Sequence, residues 1–166
     1  MSPTMSDHAR PDLTLALFQP DIPQNAGAML RTCACLGVDA AIVQPAGFPV
    51  SDRHFRRAGM DYLDLVHIER HASWAAFEDW RARSGRRLVL LTTKGATSHV
   101  DFAFAPGDIL MVGRESAGAP DEVHAAADAR VTIPMNPGAR SLNVAVAAAI
   151  AMGEALRRIR WSGGRA

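Results

Sequence analysis

The chain alternates between short apolar runs and stretches in which apolar residues recur at helical spacing. Residues 13–18 (LTLALF) read as a strand. In 25–36, Ala28, Met29, Thr32, Cys33 and Leu36 return every three or four positions, the period of one helix face, with Asn25 available to cap it. Strands are predicted at 40–43, 65–68, 87–91, 108–112 and 131–133, the last stopped by Pro134. Between them lie a basic helix over 52–58 and a helix that Ser73 caps and that carries Trp74, Phe77 and Trp80. A helix over 120–127 has proline in its first turn, and a long helix over 141–158 starts with Ser141 as its cap. Strands that are apolar throughout and alternate with helices predict an α/β fold: a parallel sheet covered on both faces. The longest stretch without an element is 92–106, and loops of that size in compact domains are often functional.

Composition narrows the class. The 166 residues are 48% hydrophobic and 21% charged, which suits one folded domain over 12–160 preceded by a disordered tail, 1–11. The 18 basic and 17 acidic residues leave a net charge of +1, which excludes a uniformly basic coat for polyanions. Apart from Lys94 the basic residues are arginines, which suit bidentate phosphate recognition, although codon bias yields the same count. Cys33 and Cys35 lack partners at zinc or disulfide spacing and read as small apolar helix residues. The longest apolar run, 144–152, falls far short of the ~20 residues that span a bilayer. The opening MSPTMSDHARP holds no apolar signal core, so a cytoplasmic protein without membrane attachment is expected.

In parallel α/β proteins ligands bind beyond the carboxyl ends of the strands, and four loops there carry unusual residues. Gln19-Pro-Asp-Ile-Pro-Gln-Asn-Ala-Gly27 leads to Arg31, placed within the first two helical turns; a capped helix with a surface arginine is the competing reading. Leu91-Thr-Thr-Lys-Gly95 offers hydroxyls and a tight turn, or simply a polar turn, and no triphosphate loop is present. Gly113-Arg-Glu-Ser-Ala-Gly118 flanks an Arg–Glu pair with glycines; it is not a dinucleotide fingerprint, and a salt-bridged turn is its plain alternative. Ile133-Pro-Met-Asn-Pro-Gly-Ala-Arg-Ser-Leu-Asn143 is stiffened by two prolines, with Asn143 in the first turn of the last helix. The alanines that follow suit close approach by another helix, or plain helix propensity.

Taken together, Asn25–Arg31, Met111–Gly118 and Ile133–Asn143 resemble, in order, the three signature motifs of the SPOUT (α/β-knot) superfamily of RNA methyltransferases. The similarity spans 13–158. It is strongest to minimal members that methylate the ribose 2′-oxygen of the tRNA wobble nucleotide, nucleotide 34, cytidine or a modified uridine. Gln19–Asn25, Arg56–Tyr62 and Leu91–Gly95 carry this narrower match. Two departures are Ala119, where the family usually has leucine, and Val144-Ala145, where leucine and serine are common.

The resemblance implies a C-terminal trefoil knot, a homodimer packed through the terminal helix, S-adenosylmethionine as methyl donor, no metal, and tRNA as partner. The family's donor-binding positions fall on Leu91, Gly113, Ile133 and Ser141, with Thr92, Glu115, Met135 and Asn143 as further contacts. Gly113 would be glycine because the adenosine lies against its backbone. The family's catalytic arginine falls on Arg31. Arginine stays protonated, so phosphate binding and stabilisation of a developing alkoxide are easier roles for it than base catalysis. Glu115, Ser141 and Asn143 would position groups around the transfer. RNA contacts are expected at Arg53, Arg56 and Arg57, and at Arg157, Arg158 and Arg160, which otherwise read as solvated helix faces. The rival readings are a 2′-O-methyltransferase of another tRNA position or of rRNA, a donor- and RNA-binding knot protein without catalysis, and a generic nucleotide-binding module.

Overall fold

The computed structural model describes residues 11–95 and 97–161. Seven parallel strands form one sheet in the order β3-β2-β1-β6-β4-β7-β5. They are β1 (Leu13–Phe18), β2 (Asp39–Val43), β3 (Ile68–His71), β4 (Leu88–Leu91), β5 (Thr97–Ser98), β6 (Asp108–Val112) and β7 (Ala129–Thr132). The helices are α1 (Pro23–Leu36), α2 (Asp52–Arg57), α3 (Trp74–Ser84), α4 (Asp121–Ala126) and α5 (Val144–Leu156).

Strand alternation sorts the core into two layers. Leu13, Leu15 and Leu17 of β1 and Leu110 and Val112 of β6 pack with α1 and α5 on one face. Ala16 and Phe18 of β1 and Ile109 and Met111 of β6 pack with Phe77 of α3 and Val123 of α4 on the other. A sheet covered on both faces explains why the strands read as continuous apolar runs.

Several boundaries differ from the sequence reading. Helix α1 begins at Pro23, whose fixed φ and missing N–H suit a first helical position, so Asn25 does not cap it. Its buried face is Ala26, Met29, Leu30, Cys33 and Ala34, while Ala28 is exposed. Arg31 consequently falls in the third turn. Burial pushes the Cys33 thiol up to about 12, whereas Cys35 is exposed and does not behave as a core residue.

The third strand lies at Ile68–His71, not 65–68. Leu63–Leu65 makes a 3-10 turn that buries Leu63 and leaves Leu65 72% exposed. Strand β5 went unpredicted; its two residues sit in the 92–106 gap and pair with Val131 and Thr132. Pro120 precedes α4 as its cap residue, and β7 starts two residues earlier than expected. The last helix starts at Val144, because Asn143 is the cap: its Oδ1 accepts from the N–H groups of Ala145 (2.9 Å) and Val146 (3.3 Å). Ser141 lies outside the helix. After Leu156 the chain widens into a π-helical turn, Arg157–Trp161.

Residues 1–10 of the expected tail lie outside the described residues. Among those described, no helix is long and apolar enough to cross a membrane, and no group of three or more His, Cys, Asp or Glu is placed to hold a metal.

Candidate active site

A cleft of about 560 Å³ opens at the carboxyl ends of β4, β6 and β7, with the start of α5 beside it. This is the topological position where parallel sheets bind ligands, and the volume is in the range of small-molecule sites. Leu91, Thr92, Gly113, Glu115, Ile133, Met135, Ser141 and Asn143 all line it, although the chain positions they occupy span more than fifty residues. Val112, Val144 and Ala147 add apolar wall, and Lys94 and Arg114 add positive charge.

Asn143 joins two of the three motifs. Its Oδ1 caps α5, and its Nδ2 donates to Asn25 Oδ1 at 3.0 Å, so the first motif is tied to the third. Asn25, read from sequence as a helix cap, instead lines the cleft and holds the cap of another helix.

Glu115 ties the second motif to the loop after β1. Its Oε2 accepts from the Asp21 N–H at 3.1 Å, and its own N–H donates to Asp21 Oδ1 at 3.2 Å. Ser116 Oγ donates to Asp21 Oδ2. Arg114 and Glu115 do not form the salt bridge that the sequence allowed. Hydrogen bonding with Glu115, then with Ser116, holds Asp21 down to about 2. Burial raises Glu115, and its hydrogen bond with Asp21 adds to this. Glu115 is therefore the member of the pair that keeps a proton longest. Its Oε1 is buried and has no hydrogen-bond partner among the described residues.

Gly113 has a cause within the chain itself. A Cβ there would lie 2.5 Å from Ala119 N and 2.6 Å from Gly118 C. The chain's own turn is by itself enough to exclude a side chain there. At Gly95 a Cβ would meet the Val131 carbonyl carbon at 2.5 Å, where the Leu91–Gly95 turn crosses β7.

Sequence reasoning missed His124. Its Nε2 is 2.9 Å from Thr92 Oγ1, and its Nδ1 is 3.2 Å from the Pro120 carbonyl. A carbonyl only accepts, so Nδ1 carries a proton, and in the neutral ring the Thr92 hydroxyl donates to Nε2. Thr92 Oγ1 also accepts from the Lys94 N–H at 3.2 Å, which fixes the turn beneath the cleft. No spacing signal could have found a partner 32 residues away.

Other expected residues lie elsewhere. Arg31 is exposed and does not line the cleft; its guanidinium carbon stands 5.8 Å from the centre of the Tyr62 ring. Tyr62 in turn donates to the Gly27 carbonyl at 2.8 Å. Arg53, Arg56 and Arg57 share the short helix α2, with Arg56 paired to Asp64 at 3.0 Å. The terminal cluster is largely committed within the chain: Arg157 and Arg158 both pair with Glu154, and Arg160 pairs with Asp12 at 2.6 Å.

Comparison with known proteins gives a consistent picture. A tRNA (cytidine(34)-2'-O)-methyltransferase of Beijerinckia indica subsp. indica is 68% identical over 145 residues, covering 87% of this chain and 91% of that protein. Its namesake in Escherichia coli K12 is 37% identical over 153 residues, covering 91% and 96%. A solved structure described as structural insights into the 2-OH methylation of C/U34 on tRNA superposes with a TM-score of 0.81 at 42% identity, covering 88% of this chain and 95% of its own. The SpoU methyltransferase AviRb of Streptomyces viridochromogenes, in complex with the cofactor AdoMet, gives 0.80 at 29% identity, covering 91% of this chain and 62% of that one. The pattern of the SpoU rRNA Methylase family matches residues 12–153, and the chain belongs to that family.

Proposed function

We propose that this protein transfers a methyl group from S-adenosylmethionine to the ribose 2′-oxygen of the wobble nucleotide of tRNA. The observation that carries the reading is the convergence of the three motifs on one cleft, locked by the Asn25–Asn143 and Asp21–Glu115 hydrogen bonds. The relatives named for cytidine 34 supply the substrate. Cytidine and modified uridine both remain within the proposal, and the cytoplasm is the compartment it implies.

The cleft fits the donor. Leu91, Val112, Ile133 and Val144 offer apolar walls for an adenine, and Thr92, Ser141 and Met135 stand beside them. When bound, S-adenosylmethionine supplies an electrophilic methyl group and leaves as a neutral thioether. The protein's task is to hold the acceptor oxygen in line at near-attack distance. Asn143 and Glu115 fix the loops that shape that approach. Arg31 binds the adjacent phosphate and stabilises the developing alkoxide, and the hydroxyl proton passes to phosphate or water. Arg53, Arg56 and Arg57 contact the RNA backbone.

Because Arg31 lies outside its own chain's cleft, that role requires a second protomer or the RNA itself to bring guanidinium and cleft together. The homodimer is part of the proposal for this reason. Its support is apolar exposure on α5: Val146 and Ile150, 48% and 39% exposed, lie four residues apart on one helix face. A knotted path is likewise proposed, supported by the tight backbone crossing at Gly95. A single domain over 12–160 completes the reading.

The test is incubation of the protein with tritiated S-adenosylmethionine and total tRNA, followed by mapping of the labelled nucleotide. Label on the wobble ribose is expected. Label at another position, or on rRNA alone, favours the rival specificity, and no label with intact donor binding favours a non-catalytic protein.

A further inference from the structure

We propose that Arg114 binds a backbone phosphodiester of the RNA at the edge of the cleft; this rests on the methyltransferase reading above. Arg114 follows Gly113 and lies at the base of a closed turn. Its N–H donates to the Gly118 carbonyl at 3.3 Å, and the Gly118 N–H donates back to its carbonyl at 2.8 Å. The side chain reaches back to the same turn. Nε donates to the Gly118 carbonyl at 3.2 Å, and Nη1 approaches Gln19 Oε1 at 3.5 Å. The guanidinium carbon stands 5.6 Å from the centre of the Phe18 ring. Gln19 itself is a non-glycine residue in the left-handed region, φ 44°, a conformation that costs energy and concentrates at functional sites.

What sets Arg114 apart is its charge balance. Among the described residues the half-buried arginines Arg70, Arg81, Arg87, Arg158 and Arg160 each hold a carboxylate. Arg114 is half-buried, lines the cleft, and holds none. A cation partly withdrawn from water without a counter-ion is costly unless an anion arrives to share the site. A guanidinium has five N–H donors in a fixed fork, and two are engaged here, which leaves three for a tetrahedral oxyanion.

Position selects the anion. The donor's apolar walls come from β4, β6 and β7, whereas Arg114 rests on Phe18 and Gln19 at the end of β1, the side from which Asn25 enters. The guanidinium thus faces the acceptor's approach, and the nearest recurring anion on an RNA acceptor is its phosphodiester.

The experiment measures binding of a tRNA anticodon stem-loop by fluorescence anisotropy across a potassium chloride series, with S-adenosylhomocysteine present. Arg114→Gln is expected to weaken RNA binding about tenfold and to flatten the slope of log affinity on log salt by about 0.7–0.9. S-Adenosylhomocysteine affinity, measured by calorimetry, stays within about twofold. Arg114→Lys restores the slope but only part of the affinity, since a point charge replaces the fork. Unchanged RNA affinity and slope in Arg114→Gln, with wild-type protein binding normally, overturns the proposal. So does a loss that falls on S-adenosylhomocysteine, which would assign Arg114 to the donor's carboxylate. Wild-type protein that neither binds the stem-loop nor methylates tRNA overturns the parent reading and this one with it.

Discussion

Arg31 separates binding from chemistry at the level of a single side chain. It is exposed and lies outside the cleft, so Arg31→Ala is expected to abolish methyl transfer while donor affinity stays within a few-fold. Single-turnover transfer and calorimetry with S-adenosylhomocysteine measure the two quantities, and equal loss of both removes the role. Asn143→Ala removes a helix cap and the Asn25 tie together. Loss of the cap alone costs about 1 kcal/mol, visible as a lower unfolding midpoint in urea. The Asp21–Glu115 pair gives acid sensitivity of a definite sign. Asp21 is held at about 2 against an ordinary 3.8, so its stabilising effect is complete above the ordinary value and disappears as pH falls through about 2. Asp21→Asn should flatten that part of a melting-temperature profile; an unchanged profile would mean that the ties to Glu115 and Ser116 do not hold in solution. Glu115, raised by burial, works in the opposite sense and loses stability as pH climbs above the usual carboxylate range. Residues inside contiguous motifs, such as Glu115 and Ser141, were legible because the resemblance to a family marks them, and both line the cleft. His124 and the cleft role of Asn25 were not, because each gains its meaning from a partner 32 or 118 residues away.

Elements were legible where burial alone dictates them. The runs at β1 and β6 are completely buried and were placed to the residue. Failures cluster where a turn competes with a strand, as at Leu63–Leu65, or where pairing is too short to leave a pattern, as at Thr97–Ser98. The start of α5 shifted because asparagine and serine cap about equally well, and only the fold decides between Ser141 and Asn143. Glycines divide into two kinds on the same reasoning. Gly113→Ala drives a methyl into the Gly118–Ala119 backbone and is expected to destabilise the fold by about 1–3 kcal/mol and to weaken donor binding with it. Gly27 sits in α1 with open space around its missing Cβ, so Gly27→Ala is expected to raise stability by about 0.5–1 kcal/mol. Denaturant midpoints of the two variants should therefore move in opposite directions.

For the molecule as a whole, the near-zero net charge excluded a general polyanion binder but gave no view of how charge is arranged. Most terminal arginines are tied to Glu154 and Asp12, a pairing across 148 residues in the second case that composition cannot reveal. The exposed Val146 and Ile150 on α5 give the proposed dimer its test. Ile150→Glu is expected to yield a folded monomer by sedimentation with little methyl transfer; a dimer of unchanged affinity would place the interface elsewhere. The central pairing of β1 with β6 carries a different consequence. During translation β1 leaves the ribosome with about ninety residues still to come before β6, an interval on the order of 5–20 s at ordinary elongation rates. Through that interval an apolar strand waits with one of its two edges unmatched, the condition in which a strand edge is open to wrong pairing.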